Sequence, residues 1–422
     1  MQPIRFAVIG LGGYAQVHVQ AVRWLARTGQ ARLSAVVVRE QERGQHAEAI
    51  HRLRRQGVRF FSNYADLLAE STACADVLTV PTGIHQHAEI SIAAMQAGLH
   101  VYCEKPAAAT VSEVDRMISA ADRTGRLCTI GYQYLYNTTI RDLKKMICSG
   151  RTGAVRSIRV LCGWPRSAAY YQRNEWAGRL RLNDTLVLDT PANNAMAHYL
   201  FNALWLARDD AHSTARPHRV EAELFRANDI ESADTVLLRV LTHEGVSIFS
   251  VFSHCGHRSL GPEMEICCEQ ATIRWQGGEG KAHVVFSDGE EEELSEDDDA
   301  WRFGGFCDLV RALRQGTEPV CPVGLTRAHT LTINAMHASC PRIATVPEEL
   351  VETVRADEIV PPYRTQTAFR RVRGLDGMLQ KAFAQQLFFS AFAAPEWPRV
   401  ARYPIELEPR GHVPEGQLFK LQ

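Results

Sequence analysis

Apolar residues in the first 125 positions occur in two alternating patterns. Short, almost uninterrupted runs such as IRFAVIG (Ile4–Gly10) and ARLSAVVV (residues 31–38) have the composition of buried strands. Between such runs lie longer segments with apolar residues at helical spacing, for example YAQVHVQAVRWLAR at residues 14–27. Strand and helix therefore alternate, which predicts an α/β fold with a doubly wound parallel sheet, a Rossmann domain over residues 1–125.

The pattern changes after residue 125. Two long β-rich runs, DTVLLRVLT and VSIFSVFSHC, are joined by the turn HEG and indicate antiparallel or mixed pairing. We therefore predict an α+β domain with an open mixed or antiparallel sheet over residues 126–345, followed by a C-terminal extension over residues 346–422. Within the extension, residues 383–392 (FAQQLFFSAF) predict an amphipathic helix whose apolar side packs against its own domain or another subunit.

Composition and charge narrow the class of protein. The 422 residues are 45% hydrophobic and 23% charged, as in globular enzymes, and the formal net charge of −1 gives no reason to expect a nucleic-acid or membrane partner. Eleven cysteines without a C-x-x-C pair are typical of reduced thiols, and they predict a cytoplasmic protein. Cys255 lies between His254 and His257, but no second group of ligand residues has suitable spacing, so no metal site is predicted.

The stretch GLGGYA, Gly10 to Ala15, follows the first predicted strand and precedes the first predicted helix. This context fits the dinucleotide-binding pattern G-x-G-x-x-A. In that pattern Gly10 permits a tight turn, Gly12 lets the backbone approach a pyrophosphate, and Ala15 allows close helix packing. The motif therefore predicts NAD(P) binding, with Gly13 and Tyr14 in the same loop.

The end of the second strand bears on which dinucleotide is bound. An acidic residue there binds the ribose 2′-hydroxyl of NAD, but here Val38 is followed by Arg39. An arginine suits a 2′-phosphate better, so we predict NADP, with NAD as the alternative. Glu40 turned inward, or Arg39 as an ordinary surface residue, would remove this preference.

Lys105 lies in CEKPAAA, directly after the fourth predicted strand. Open α/β sheets bind their ligands at the carboxyl ends of the strands. A lysine beside a nicotinamide in this place can exchange a proton with a substrate hydroxyl. Lys105 is therefore the first candidate for the acid–base residue.

The segment LDTPANNAMAHYLFNALWL, Leu188 to Leu206, predicts a helix that starts at Pro191. Its polar residues Asn194, His198 and Asn202 recur at helical spacing and share one face. Either this face belongs to a core with several polar groups to satisfy, or it lines a pocket.

Residues 163–178 (GWPRSAAYYQRNEWAG) combine aromatic rings with multi-donor side chains. Such a set suits a polyhydroxylated ring, which is apolar on its C–H face and polar at its edges. The alternative is a core-packing or subunit-contact loop. The candidate substrate residues in this loop are Trp164, Arg166, Tyr171, Arg173 and Trp176.

Together these features resemble the Gfo/Idh/MocA oxidoreductases, the family of glucose–fructose oxidoreductase and inositol dehydrogenase. The resemblance covers roughly residues 3–345 and rests on the glycine loop, on VPTGIHQHAEISIAAMQAGLHVYCEKPAAAT, on RTGAVRSIRV and on the helix around His198. It implies a Rossmann domain, a C-terminal domain whose open sheet often supports oligomerisation, and reversible hydride transfer between NAD(P) and a carbon of a sugar or cyclitol. A homo-oligomer, dimer or tetramer, is therefore expected.

The resemblance also assigns residues near the cofactor. Thr82 and His85 match the turn beside the nicotinamide, and Glu104 and Lys105 match the family's E-K-P motif. The candidate cofactor-binding residues are therefore Gly10, Gly12, Gly13, Tyr14, Ala15, Arg39, Thr82, His85, Glu104 and Lys105.

One position departs from the family pattern. In inositol dehydrogenase-like members an acid and a histidine four residues apart complete the site, and here His198 matches the histidine while Asn194 replaces the acid. An amide cannot accept a proton at neutral pH, so Asn194 is an orienting candidate beside the catalytic candidates Lys105 and His198. Asp189 is an alternative acid, but its place in the sequence puts it at the mouth of the predicted helix. Three hypotheses follow: an oxidoreductase acting on a sugar, cyclitol or sugar derivative, a redox-assisted epimerase, lyase or glycosidase with a tightly held cofactor, and a non-catalytic NAD(P)-binding regulator.

Overall fold

The computed structural model describes residues 2–296, 299–360, 363–408, 411 and 413. The chain forms two compact units, which we call the N-terminal unit (Met1–Tyr136 and Ala300–Arg327) and the C-terminal unit (Asn137–Asp299 and Ala328–Gln422). Within the described residues, no helix combines the length and the apolar character needed to span a membrane.

The N-terminal unit alternates strands and helices. Its elements are β1 (Ile4–Ile9), α1 (Ala15–Ala26), β2 (Ala31–Val37), α2 (Ala47–Arg55), β3 (Arg59–Phe61), α3 (Tyr64–Ala69), α4 (Ser71–Cys74), β4 (Val77–Val80), α5 (Ile84–Gln96), β5 (His100–Cys103), α6 (Val111–Thr124), β6 (Cys128–Ile130) and α10 (Gly304–Gln315). The six strands pair in parallel in the order β3-β2-β1-β4-β5-β6. The strand order reverses between β1 and β4, which is the switch point of a doubly wound sheet. The predicted Rossmann fold is confirmed.

The limits of this unit differ from the sequence-based boundaries at residues 125 and 345. The strand β6 completes the parallel sheet beyond residue 125, and the segment that contains α10 returns to pack with the first unit. Phe306 and Leu309 of α10 lie in one apolar cluster with Phe6 of β1. Apolar burial therefore groups residues that are about 300 positions apart along the chain.

Local signals explain the ends of one helix in this unit. A capping box forms between Thr110 and Glu113, and Gly125 ends α6 with a left-handed backbone at φ 63°. Burial of Val114 and Met117 turns the apolar side of α6 inward.

The C-terminal unit is built on a mixed sheet. Its elements are α7 (Thr138–Cys148), β7 (Val155–Gly163), α8 (Ala168–Gln172), β8 (Arg181–Leu182), β9 (Thr185–Leu186), α9 (Ala197–Leu206), β10 (Pro217–Arg226), β11 (Thr235–Thr242), β12 (Ser247–Ser253), β13 (Leu260–Cys268), β14 (Ala271–Gln276), β15 (Lys281–Phe286), β16 (Glu291–Ser295), α11 (Arg327–Ser339), β17 (Ala344–Thr345), β18 (Val351–Val360), β19 (Tyr363–Val372), α12 (Leu375–Gln385) and β20 (Ile405–Glu406). The ten-stranded sheet has the order β16-β15-β14-β13-β7-β12-β11-β10-β17, with β20 beside β10. Most pairs are antiparallel, but β7 and β12 run parallel, so the predicted mixed sheet is confirmed.

The C-terminal extension packs on one face of this sheet. Leu379 and Phe383 of α12 lie in one apolar cluster with Leu161 of β7 and Phe249 of β12. The helix predicted at residues 383–392 is wrong in its position, because α12 ends at Gln385 and Gln386 takes a left-handed backbone at φ 53°. Phe383, Phe388 and Phe389 of this segment are nevertheless buried in an apolar cluster of their own unit, whereas Leu387 is exposed.

Candidate functional site

The glycine loop joins β1 to α1 in the N-terminal unit. Gly10 and Gly13 have φ angles of 91° and 52°, which side chains with a β-carbon rarely adopt. A β-carbon at Gly10 would lie 3.3 Å from that of Ala15, so Gly10 permits both the turn and the close approach of α1. Tyr14 is 45% exposed and donates its hydroxyl to Gln133.

Backbone amides at this turn are available to a ligand. The N–H groups of Gly12, Gly13 and Tyr14 donate to no acceptor within the described ranges, while those of Ala15 and the next residues already bond within the turn. A β-carbon at Gly13 would meet no atom within 4 Å, so the backbone is open there. Unpaired N–H groups at the start of a helix bind anions, and this arrangement fits the pyrophosphate of a dinucleotide.

Arg39 lies just beyond β2 and is mostly exposed. Its guanidinium is 67% exposed and pairs with Glu42 at 2.5 Å. Glu40 is 73% exposed and pairs with Arg43, so it does not turn inward. The alternative in which Glu40 binds the ribose therefore has no support in this geometry, and Arg39 remains a surface cation beside the strand end.

The Glu104 carboxylate is buried beneath the lysine loop. Its Oε1 atom lies 3.0 Å from Nε2 of the fully buried His18, and its Oε2 atom accepts the Lys105 backbone N–H at 3.3 Å. Gly131 lies so close that a β-carbon there would be 2.8 Å from Oε1. Glu104 thus fixes the backbone from which the half-buried Lys105 side chain projects.

His87 links the two predicted cofactor loops, a role that the sequence did not reveal. Its Nδ1 atom lies 2.8 Å from the Pro106 carbonyl and its Nε2 atom lies 3.1 Å from the Thr82 carbonyl. Burial lowers the pKa of His87 below its usual value. The two carbonyls and Glu104 raise the pKa, but their effect is smaller than that of burial. In the sequence, only its place as the second histidine of HQH (residues 85–87) pointed to His87. The family resemblance assigned His85 instead, which lies two residues earlier in the first turn of α5.

The helix predicted from Pro191 is wrong over its first six residues, because α9 begins only at Ala197. The chain passes Leu188 with φ 54°, and residues 191–196 form turns. Asn193 donates its side-chain amide to the Leu188 carbonyl at 3.1 Å, and its own N–H bonds to Thr190. Such local side-chain bonds compete with helix formation, so the helix starts later.

Asn194 lies in this turn segment and contacts an acid. Its Nδ2 atom donates to Oδ1 of Asp189 at 2.7 Å, and the other Asp189 oxygen accepts the Gly178 N–H at 2.6 Å. Asp189 is 5% exposed. A carboxylate, from a residue five positions earlier, therefore lies within hydrogen-bond distance of Asn194.

The polar residues of α9 fall into two groups. His198 lies in the first turn and is 8% exposed, whereas Asn202 is completely buried, and neither of its side-chain amide atoms has a hydrogen-bond partner among the described residues. At the opposite end, the Lys144 ammonium donates to the carbonyls of Trp205 and Arg208, and burial lowers its pKa to about 8. Of the three residues predicted to share one polar face, Asn194 therefore precedes the helix and Asn202 belongs to the core. His198 is the one that lies near the surface of the unit.

The predicted substrate loop forms one cluster around Tyr170. Trp164 and Arg166 continue the parallel pairing of β7 with β12, because their backbone N–H groups bond to the carbonyls of Ser253 and His254. Contacts between cations and rings then connect four of the five predicted residues through Tyr170, and the Tyr171 ring packs edge-on against the Tyr170 ring with centroids 5.2 Å apart. The guanidinium of Arg166 lies 5.8 Å from the Trp164 ring and 4.8 Å from the Tyr170 ring, and that of Arg173 lies 3.7 Å from Tyr170 and 5.3 Å from Trp176.

Tyr171 connects this cluster to His254, which was not among the predicted substrate residues. The Tyr171 hydroxyl lies 3.0 Å from Nδ1 of His254. Burial, with Arg166 and Arg173 nearby, lowers the pKa of His254 well below its usual value, and burial raises the pKa of Tyr171. His254 is therefore a neutral hydrogen-bonding group at neutral pH.

Cys255 and its neighbours serve a structural purpose. Asn228 donates to the Cys255 sulfur at 3.3 Å and to the buried carboxylate of Asp234 at 2.9 Å. His257 lies instead near Glu352. In the described part of the chain, no group of three or more metal-binding side chains occurs.

Comparison with known proteins finds a family match in the N-terminal part of the chain. Residues 4–132 match the model of the Gfo/Idh/MocA oxidoreductases, described as an oxidoreductase family with an NAD-binding Rossmann fold. This part of the chain is therefore similar to the NAD-binding domain of that family. The match and the relatives confirm the predicted oxidoreductase class and the NAD-binding N-terminal domain.

Relatives in this family differ in their named activities. The chain is 29% identical over 257 residues to an inositol 2-dehydrogenase from Ralstonia nicotianae, which covers 60% of this chain and 68% of that protein. The fold is similar to that of the WlbA dehydrogenase from Bordetella pertussis, solved with NADH and UDP-GlcNAcA, at a TM-score of 0.65, 24% identity, and coverage of 80% and 96%. It is also similar to an aldose-aldose oxidoreductase from Caulobacter crescentus solved with glycerol, at a TM-score of 0.63, 19% identity, and coverage of 80% and 97%.

Proposed function

We propose that this protein is an NAD(P)-dependent oxidoreductase that acts on a hydroxyl-bearing carbon of a sugar, cyclitol or sugar derivative. The observation that carries the proposal is the placement of the open amides of Gly12, Gly13 and Tyr14 after β1 and of Lys105 after β5. Both are carboxyl ends of strands in one parallel sheet, where such sheets bind cofactor and substrate. The inositol 2-dehydrogenase relative supports the polyol substrate class.

The chain supplies the proton transfer that accompanies oxidation. When bound, NAD(P) accepts or returns a hydride at the substrate carbon. Lys105 Nζ accepts the hydroxyl proton during oxidation and returns it during reduction, a role that typically contributes about 10²–10⁴-fold to the rate. Glu104 and His87 hold the loop that carries Lys105 through backbone contacts.

The C-terminal unit provides the polar and aromatic groups for the substrate. Asp189, Asn194 and His198 offer an acceptor, an amide and an imidazole within ten residues of chain. We assign His198 as the partner of Lys105 in proton transfer, and the pairing stays a prediction. The aromatic loop from Trp164 to Trp176 suits the C–H face of a sugar ring.

NADP is the proposed form of the cofactor. Arg39 offers the only positive group directly after β2, and Glu40 faces solvent. The expected homo-oligomer stays a prediction, as does a cytoplasmic location. Any subunit contact has to avoid the part of the C-terminal sheet that α12 covers.

A turnover assay with a matched blank tests the proposal. Reduction of NAD⁺ and NADP⁺ is followed with a panel of polyols, aldoses and sugar acids for the native protein, for Lys105→Met and for Lys145→Met, an exposed lysine paired with Asp142. We expect Lys105→Met to lose about 10²–10⁴-fold in kcat while dinucleotide binding is kept, and Lys145→Met to behave as the native protein. Binding of neither dinucleotide would refute the proposal.

A redox-neutral reaction remains the second candidate, because an amide at position 194 departs from the dehydrogenase pattern. Native mass spectrometry of the freshly purified protein separates the two. A dinucleotide that co-purifies in full occupancy, with no net reduction of added cofactor, would favour the redox-assisted epimerase, lyase or glycosidase. Exchangeable cofactor with net turnover would favour the dehydrogenase.

A further inference from the structure

Among the described residues, Arg166 and Arg173 have no carboxylate partner of the kind that Arg179 and Arg208 have. Arg179, a few residues along the loop, pairs with Glu231 at 2.6 Å, and Arg208 pairs with Glu244 at 2.6 Å. Within the described residues, neither Arg166 nor Arg173 lies within ion-pair distance of a carboxylate. Within the same described residues, the Arg173 guanidinium donates to the Tyr170 carbonyl alone, and the Nε atom of Arg166 is buried without an acceptor.

The two cations also lie against the same ring. Their guanidinium carbons lie 4.8 and 3.7 Å from the centroid of the same Tyr170 ring. Like charges repel, and both side chains are half-buried, where water screens the repulsion less than at the surface. The cation–π contacts with Tyr170 and Trp176 offset only part of this cost.

Neighbouring groups do not neutralise the pair. His254 is 3% exposed and contacts the rings of Tyr170 and Tyr171, and its Nε2 atom has no hydrogen-bond partner in the described structure. When the Tyr171 hydroxyl donates to Nδ1, Nε2 carries the ring proton and becomes a third donor beside the two arginines. The buried Asp234 carboxylate is engaged by the N–H groups of Ala227 and Asn228.

We propose that Arg166 and Arg173 bind an oxyanion carried by the substrate, so that the substrate is a sugar derivative with a carboxylate or a phosphate group and not a neutral polyol. The guanidinium fork matches both oxyanions by paired hydrogen bonds, and Tyr170 holds the two forks in place. The inference rests on the proposed function, because it names the substrate class of that site.

Equilibrium binding tests the inference without requiring turnover. Isothermal titration at saturating NAD⁺ compares glucuronate, glucose 6-phosphate and glucose for the native protein, Arg166→Gln, Arg173→Gln and the control Arg179→Gln, which removes an ion-paired arginine near the same loop. We expect at least one of the two acids to bind about tenfold or more tightly than glucose, and the two test variants to lose that advantage. Whether glucuronate or glucose 6-phosphate shows the effect distinguishes the carboxylate from the phosphate.

A second variant separates charge from folding. Arg166→Lys keeps the charge but not the fork, so it should keep part of the acid preference, and thermal melting should show all variants folded, because no ion pair is lost at either test position. Equal affinity for glucose and both acids, no measurable binding of either acid, or an equal loss in Arg179→Gln would overturn the inference. Lys105-dependent turnover of neutral polyols that Arg166→Gln leaves unchanged would overturn it while the proposed function stands. Failure of dinucleotide binding would instead refute the proposed function.

Discussion

The two units offer their ligands different parts of the chain. In the N-terminal unit the candidate ligand groups are backbone amides of the glycine loop, and the side chains around them mainly hold the backbone in place. In the C-terminal unit the candidate groups are side chains: an acid, an amide, two arginines and an imidazole. Ligand binding by backbone amides depends on the conformation of the loop. Ligand binding by side chains depends on which residue stands at each position.

The units also differ in how their sites are assembled along the sequence. The glycine loop is six consecutive residues between one strand and one helix. The cluster around Tyr170 needs residues 164–176 and His254, which meet because β7 and β12 pair in parallel. It also needs β19 of the extension, because Thr367 accepts the Ala169 N–H at 3.2 Å. The first site can be conserved as a short motif, and the second can diverge with the substrate.

The largest effect that would sharpen this contrast is expected for Asn194→Asp. The substitution restores the acid of the family pattern, so the resemblance predicts that it is tolerated or even raises activity if oxidation is the reaction. In the structure it replaces the donor to Asp189 with a second carboxylate at 2.7 Å. Loss of a hydrogen bond to a charged group predicts a fall of about 1.5–3 kcal/mol in the free energy of unfolding at pH 7.5.

The pH dependence of this variant has a definite sign. The neighbouring carboxylate raises the pKa of the introduced acid in the folded state. The penalty is therefore full above that folded pKa, shrinks as the pH falls below it, and is gone only below the unfolded pKa of about 3.9. Urea unfolding at pH 7.5 and pH 5 measures the change. The control is Asn174→Asp, where the side-chain oxygen already accepts two N–H groups, so no loss is expected. Unchanged stability with higher activity would show that position 194 tolerates the acid.

A smaller effect is expected for Gly12→Ala in the backbone site. The new β-carbon would meet only His46 at 3.4 Å, an ordinary contact, so the fold should be kept. The same carbon stands where a pyrophosphate has to approach the backbone, so we expect dinucleotide affinity to fall roughly tenfold. Fluorescence titration of NADH and NADPH measures it, with Gly44→Ala as a control at another open glycine. Equal affinities in all three proteins would remove Gly12 from the cofactor site.

The sequence predicted the N-terminal unit well because its signals are local. Buried parallel strands are continuous apolar runs, and G-x-G-x-x-A acts through the turn that its own glycines allow. The turn at residues 191–196 was mistaken for helix, since helical spacing of apolar residues does not reveal that Asn193 and Thr190 bond to nearby backbone.

The contacts that the sequence did not predict depend on long-range pairing. His254 and Cys255 are adjacent in sequence, but alternate residues at a strand end point in opposite directions. His254 therefore meets Tyr171, whereas Cys255 packs into the apolar cluster beneath the extension. No spacing rule within one segment can predict such contacts, because they depend on which strands become neighbours.

The smallest expected effect concerns Arg39, the one place where the N-terminal unit would use a side chain to choose its ligand. The sequence alone favours a 2′-phosphate, but the guanidinium is 67% exposed and already pairs with Glu42, so solvent screening and competition reduce its contribution. We expect Arg39→Ala to weaken NADPH binding by about threefold to tenfold and to leave NADH binding unchanged. The control is Arg32→Ala, an exposed arginine within β2 and away from its carboxyl end. The measurement is the ratio of the Kd values for NADH and NADPH. This ratio should become smaller at high salt, because the contact that Arg39 would make is exposed. If the native protein prefers NADH, or if both Kd values change equally, Arg39 is a surface residue and the N-terminal unit recognises its cofactor through the backbone alone.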